Sequence, residues 1–329
     1  MGIGASLGLL AVLVVVPILG VEVCGGTWFF AVVVPYLALG IFLAGIVYRV
    51  VKWAQAPVPF RIPTTCGQQR SLPWIPAARV DNPSTGWGVL VRVLLEVLFF
   101  RSLYRNTKVD LWPGPRLSYR WEKWLWLGAL AFHWSFFIIF IRHLRLFTTP
   151  VPTLVQWLDG LDGFLRVGAQ ALYVTDLLFL GAVSYLFLRR LVIPQIRYIS
   201  LPGDYFPLLL LLGIASTGVL LRYFFRVDVT AVKELALGLV TFHPQVPAGV
   251  GILFYLHLFL VSGLVAYFPF SKMVHMAGVF LSPTRNLANN SRARRHINPW
   301  NYPVKVHTYA EYEEEFGSKM REAGIPLDG

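Results

Sequence analysis

Four histidines stand inside two strongly apolar stretches of the chain. His133 and His143 lie in Trp121–Phe147, and His257 and His275 lie in Val250–Leu281. Ionisable side chains within membrane helices are costly, so they usually face a bundle interior and do chemistry there. Imidazoles supplied two per helix by two helices suit the axial ligation of two haem irons, each iron clamped between one ring from each helix. Taken singly, any one of the four could equally be a satisfied polar group or an interface residue. The pattern of two pairs is what points to metal.

The spacing can be tested against helix geometry. His257 and His275 are 18 residues apart, about five whole turns, so both project from one face. His133 and His143 are 10 apart, roughly 2.8 turns, so their faces differ by about 80°. The axial rises are about 27 Å and about 15 Å, which a straight antiparallel pair cannot match at both levels. Pro269, between His257 and His275, is expected to kink the helix and, with helix tilt, absorb the difference.

The helices that must carry these residues follow from composition. The chain has 329 residues, 56% hydrophobic and 14% charged, with a mean hydropathy of +0.59, which is an integral-membrane composition. Six stretches can span a hydrocarbon layer of ~30 Å: Ile3–Gly20, Trp28–Val50, Trp121–Phe147, Ala171–Ile193, Tyr205–Phe225 and Val250–Phe270, the last expected to continue as helix toward Leu281. The first has no basic flank and no A-x-A cleavage site, so it reads as a retained helix. The expected fold class is an all-α membrane protein of six transmembrane helices, with a dihaem bundle of four or five of them and one amphipathic interfacial helix.

The net charge of +12 invites a nucleic-acid reading, but the positions of the charges answer it. Segments 49–123, 189–204 and 271–329 hold 23 of the 29 Lys and Arg residues, and segments 21–27, 142–170 and 222–249 hold the other 6. This is the asymmetry that orients membrane proteins, with the basic side and both termini cytoplasmic in the cell (inner) membrane. The lipid bilayer is therefore the partner that the charge addresses, and no nucleic acid is expected. The same orientation fixes the pairing. The third span runs outward and the sixth inward, so His133 must meet His275 on the inner side and His143 must meet His257 on the outer side.

The organisation along the chain is then 1–50, two N-terminal spans; 51–120, a cytoplasmic loop; 121–282, the cytochrome bundle; and 283–329, a cytoplasmic tail. Within the loop, Trp87–Leu103 is apolar but interrupted by Arg92, Glu96 and Arg101, which suits a helix lying along the membrane surface. Asn82-Pro83-Ser84-Thr85-Gly86 before it is turn chemistry. Arg142, Arg145 and Arg166 are read mainly as snorkelling cations, and Asp176 as a proton acceptor or an interhelical hydrogen-bond partner. Cys66 is a loop residue or a redox-partner contact. His243, His296 and His307 are ordinary loop residues, and Arg292–Arg295 addresses anionic headgroups or a partner surface. Two cysteines, Cys24 and Cys66, are too few for an iron–sulfur cluster of the chain's own, and there is no CxxCH for covalent haem. Walker A, GxGxxG, HExxH and hydrolase-elbow motifs are absent, as are repeated halves.

These histidine spacings, the segment Thr65-Cys66-Gly67-Gln68-Gln69 and the run Ser282-Pro283-Thr284-Arg285-Asn286-Leu287-Ala288-Asn289-Asn290-Ser291-Arg292 carry a resemblance. Residues 121–300 resemble the gamma subunit of respiratory nitrate reductases. The whole chain, with its extra first helix and its Val306-His307-Thr308-Tyr309 tail, is similar to the DsrM-type membrane cytochrome b of the sulfite-reduction-associated (DsrMKJOP) electron transfer complex. The resemblance implies two haem b held by His133, His143, His257 and His275. It implies menaquinone as the bound redox substrate near the outer haem, and an iron–sulfur subunit resembling heterodisulfide reductase docked on the cytoplasmic side. It also implies further membrane-complex subunits and a place in dissimilatory sulfur metabolism and sulfate respiration. A nitrate-reductase or heterodisulfide-reductase type cytochrome b is the same chemistry with another partner, and a haem-free anchor or transporter is the remaining class.

Overall fold

A computed structural model describes residues 2–56, 67–114, 116–167, 170–292 and 306–328. Thr65, Cys66, residues 293–295 and His296 lie outside these, so the expectations placed on them are not addressed structurally. The protein is an all-α membrane protein. Its helices are α1 (Gly2–Ile18), α2 (Val34–Ala54), α3 (Gly86–Phe99), α4 (Arg101–Tyr104), α5 (Lys123–His143), α6 (Thr153–Asp162), α7 (Val174–Val192), α8 (Pro194–Ile199), α9 (Pro202–Val219), α10 (Val229–Val240), α11 (Ile252–Tyr267), α12 (His275–Leu281), α13 (Pro283–Asn286) and α14 (Tyr309–Glu322). Two short antiparallel hairpins were not expected: β1 (Thr107–Trp112) with β2 (Arg116–Trp121), and β3 (Leu165–Val167) with β4 (Gln170–Leu172).

Among the described residues, five helices with their flanking turns are long and apolar enough to cross a membrane: Gly2–Val23, Phe29–Ala54, Lys123–Leu146, Pro202–Phe224 and Ile252–Phe270. The expectation of six is met only in part. The remaining candidate, α7, is helical over 19 residues but carries Asp176 in its first turn and Arg189 and Arg190 in its last. It nonetheless packs within the bundle, since α5 lies on α7, α7 on α9, α9 on both α1 and α11, and α11 on α2. Gly128 permits the first of these contacts, because a Cβ there would lie 2.6 Å from the Tyr185 ring. A buried cluster of Phe179, Val183 and Leu211 joins Phe132 and Ile139 of α5 to Leu264 of α11. The helices that carry the histidines are thus linked across a floor made by α7 and α9.

The expected continuous helix to Leu281 does not form. The helix ends in a 3-10 turn at Phe268–Phe270, Ser271 is extended (φ −103°, ψ 174°), and a new turn starts at Lys272. Pro269 removes a backbone donor, and the Ser271 hydroxyl accepts from the Met273 N–H to cap the restart. His275 therefore opens a separate short helix, α12. The mismatch in axial rise disappears, because no single helix connects His257 to His275.

Contacts sort the loops to two ends. At one end, the Ser6 hydroxyl donates to the Pro202 carbonyl (3.0 Å), Arg49 Nε to the Pro269 carbonyl (2.8 Å), Lys272 Nζ meets Asp204 (2.6 Å) and Arg189 meets Glu122 (3.2 Å). At the other, the Tyr36 hydroxyl donates to the Leu239 carbonyl (2.8 Å) and the Tyr173 N–H to the Tyr223 hydroxyl (3.0 Å). This grouping matches the alternation used to count the basic residues.

The surface segment 86–103 is two helices instead of one. Thr85 caps α3, its hydroxyl accepting from the Gly88 N–H, and Phe100 stops it in the left-handed region (φ 49°, ψ 48°). The turn ahead of α3 is locked to the tail. Asn289, 1% exposed, donates its N–H to the Pro83 carbonyl (2.7 Å) and its amide to Asn82 (2.6 Å). Gln69 reaches Ser291 at 2.9 Å.

Candidate functional site

Helix α5 carries two of the four histidines. Its uninterrupted apolar sequence keeps the ladder intact through His143, and each imidazole folds back on its own helix. The Nδ1 of His133 is 2.7 Å from the Ala129 carbonyl, and that of His143 is 2.8 Å from the Ile139 carbonyl. At the start of α12, the Nδ1 of His275 is 2.7 Å from the Lys272 carbonyl. A carbonyl only accepts, so each of these Nδ1 atoms carries the proton and each Nε2 keeps a free lone pair.

His257 reaches the same state by another route. Its Nδ1 lies 2.8 Å from the Thr217 hydroxyl on α9. That hydroxyl donates its proton to the carbonyls of Gly213 (2.8 Å) and Ile214 (3.0 Å), so toward the imidazole it acts as acceptor. The neighbouring Gly218 lets the ring lie against α9, since a Cβ there would come within 3.3 Å of His257 Cε1. Among the described residues, no hydrogen bond reaches the Nε2 of any of the four. An outer acceptor on one ring nitrogen with the other left bare is how metal-binding imidazoles are oriented.

The structure brings His133 and His275 together. Their ring centroids are 6.1 Å apart with planes at 78°. Two imidazoles bound to one metal at ~2 Å per bond place their centroids about 6 Å apart, so the pair fits a shared iron. Among the described residues no group of three or more His, Cys, Asp or Glu side chains is arranged to hold a metal ion. Two protein ligands suffice where a macrocycle such as haem supplies the other four.

The two pairs have different surroundings. His133 sits between aromatic edges, with Phe100 and Phe132 each 4.8 Å away by ring centroids. The indole N–H groups of Trp126 and Trp134 donate to the carbonyls of Phe99 (2.7 Å) and Leu98 (3.0 Å), fixing the end of α3 beside this ring. His143 adjoins a buried ionic network. Arg142 is ion-paired with Asp162, donates to Thr175 (3.1 Å), and lies 3.4 Å from Asp176. Its guanidinium stacks 3.4 Å from the centre of the Tyr173 ring, and Arg222 lies over the same ring at 4.2 Å. Arg142 is therefore a buried structural cation and not a snorkelling one. Asp176 accepts from the Tyr223 hydroxyl (2.9 Å), which makes it an interhelical partner. Thr217 and Phe100 escaped the sequence reading. A polar Thr217-Gly218 pair in the otherwise apolar run of α9 was the only hint of the first, and nothing local marked the second.

Known proteins resemble the chain over most of its length. The family model of the nitrate reductase gamma subunit matches residues 87–293. The chain is 46% identical over 278 residues to the Hdr-like menaquinol oxidoreductase cytochrome b-like subunit of Archaeoglobus fulgidus, covering 82% of this chain and 83% of that protein. It is 42% identical over 273 residues to the protein of the same name from Archaeoglobus profundus, covering 81% of each. With the helices that carry all four histidines inside the matched region, the chain belongs to the nitrate reductase gamma subunit family.

Proposed function

We propose that this protein is a dihaem cytochrome b subunit. It moves electrons between menaquinol or menaquinone in the membrane and an iron–sulfur partner subunit on the cytoplasmic side, within a larger complex of dissimilatory sulfur metabolism. His133 and His275 hold the inner haem b, and His143 and His257 the outer one. The chain crosses the cell (inner) membrane six times, α7 being the fourth span with its arginines at the cytoplasmic end, and both termini are cytoplasmic.

The observation that carries this reading is the 6.1 Å approach of the His133 and His275 rings, with each Nδ1 committed to an acceptor and each Nε2 bare. Haem b held between paired imidazoles would supply one-electron chemistry there. The residues of this chain have three tasks around it. The four imidazoles offer Nε2 in the correct tautomer. The carbonyls of Ala129, Ile139 and Lys272 and the Thr217 hydroxyl hold those rings in place. The aromatic edges of Phe100 and Phe132 pack around the His133 ring.

The relatives are named as menaquinol oxidoreductase subunits of an Hdr-like kind, which supports the quinone and the iron–sulfur partner. Reduced-minus-oxidised spectra of the purified protein, with menaquinol analogue as reductant, test the proposal. Two low-spin b-type haems reduced by the quinol are expected. A protein without haem bands, or with haem that quinol cannot reduce, overturns it.

A further inference from the structure

His275 does not belong to a membrane helix. It opens the seven-residue α12 after the chain has broken at Ser271, so the bilayer bundle alone does not set its distance to His133. From the side of the bundle, Lys272 pairs with Asp204 and Arg49 holds the Pro269 carbonyl. The segment's other end is held by the surface helix. Glu96 of α3 is ion-paired with Arg285, which also donates to the Ser102 hydroxyl (3.3 Å). Arg92 of α3 donates to the Thr284 carbonyl (3.1 Å). The Ser102 N–H closes back on Glu96 at 2.9 Å. The same α3 ends at Phe100, whose ring lies against His133. Helix α3 therefore ends against the His133 ring and is tied to the segment that follows the short helix opened by His275.

We propose that α3 is the brace of the inner haem: Glu96 and Arg285 are positioning residues that hold His275 opposite His133, while Phe100 holds the other ring. This rests on the dihaem reading. It gives the surface helix and the Ser282–Arg292 segment a shared task that neither has alone. It also makes the inner haem, and not the outer, responsive to whatever contacts the exposed face of α3. The left-handed backbone at Phe100 supports the assignment, because a bulky side chain in that region is disfavoured and here it is what aims the ring.

The test uses the full-length protein in detergent. Variants His275→Ala and His257→Ala first give the spectrum of each haem alone. In Glu96→Ala, the low-spin signal of the inner haem is expected to convert to high-spin or to be lost, with the outer haem's signal and midpoint unchanged. The charge-swapped pair Glu96→Arg with Arg285→Glu is expected to restore it. An inner haem unaltered in spin state and midpoint in Glu96→Ala overturns the brace, as does equal loss of both haems that the swap fails to restore. Should Glu96→Ala not accumulate, Arg285→Lys serves: a shifted inner midpoint supports the brace and two unshifted midpoints refute it. Failure of the dihaem reading is distinct, since the unsubstituted protein would then show no pair of haems.

Discussion

The His257 imidazole and the Thr217 hydroxyl meet at 2.8 Å, and the hydroxyl's own proton is turned away to the carbonyls of Gly213 and Ile214. The other three imidazoles lean on main-chain carbonyls, which no substitution removes. His257 is thus the one of the four whose hydrogen-bonded partner at Nδ1 is a side chain. Loss of such a support typically weakens metal retention about 10- to 100-fold. Thr217→Val should retain the inner haem fully, bind the outer haem more weakly and raise its midpoint, because an imidazole without an acceptor on Nδ1 donates less to ferric iron. Thr217→Ser should behave as the unsubstituted protein. A redox titration of both variants checks this.

Single ligand substitutions should sort into two classes. His143→Ala and His257→Ala should each leave one haem per chain with the same residual spectrum. His133→Ala and His275→Ala should leave the complementary spectrum. Haem quantitation beside the optical spectrum reads the outcome, and His133→Ala matching His257→Ala would contradict the crossed pairing.

Arg142 and Asp162 are both buried, with side chains 8% and 5% exposed. Removing one partner of a buried pair leaves an uncompensated charge and costs about 3–5 kcal/mol. Asp162→Ala should lower the melting temperature of the detergent-solubilised protein far more than Arg145→Ala, whose pair with Asp159 is more open. Thermal melts of the two variants make the comparison.

Glu96 offers a pH test of the surface helix. Burial alone would raise its carboxyl, but hydrogen bonds from Ser102 and the adjacent Arg285 guanidinium bring it below its ordinary value. A carboxylate lowered in the folded state contributes stability at neutral pH that is lost as pH falls through the lowered value. The groups facing it are Arg285 and Ser102, with Arg92 on its own helix contacting Thr284. The inner-haem spectrum should therefore hold through the ordinary carboxylate range and change only below it. In Glu96→Gln that acid transition should vanish, as spectra recorded along a pH series would show.

The proposed topology places Cys24, which is exposed and free, at the outer end of the first two helices. A membrane-impermeant maleimide should label it in whole cells or right-side-out vesicles. A Cys introduced at Tyr309 of the tail should react only after the membrane is opened. The reverse pattern would invert the orientation.

Much of the site was legible in the sequence because it depends on periodicity and charge asymmetry, which act locally. The spacing of His133, His143, His257 and His275 marked them as candidate ligands, and the distribution of Lys and Arg predicted that His133 would meet His275. What was not legible depends on chain returns. Pro269 reads as a kink until Ser271 is seen to cap a fresh turn. Arg142 looks like an interfacial cation until Asp162 and Thr175 arrive from beyond α5. Asn82 looks like turn chemistry until Asn289 pairs with it across 207 residues. The charges on α7 likewise separate a bundle helix from a span that composition alone would recognise.

The most direct measurement is a pyridine haemochrome assay on the purified chain, with protein quantified independently. Two haem b per chain, low-spin before pyridine is added, is the predicted result. A stoichiometry near zero would contradict the account at its centre, since the facing imidazoles would then hold no iron.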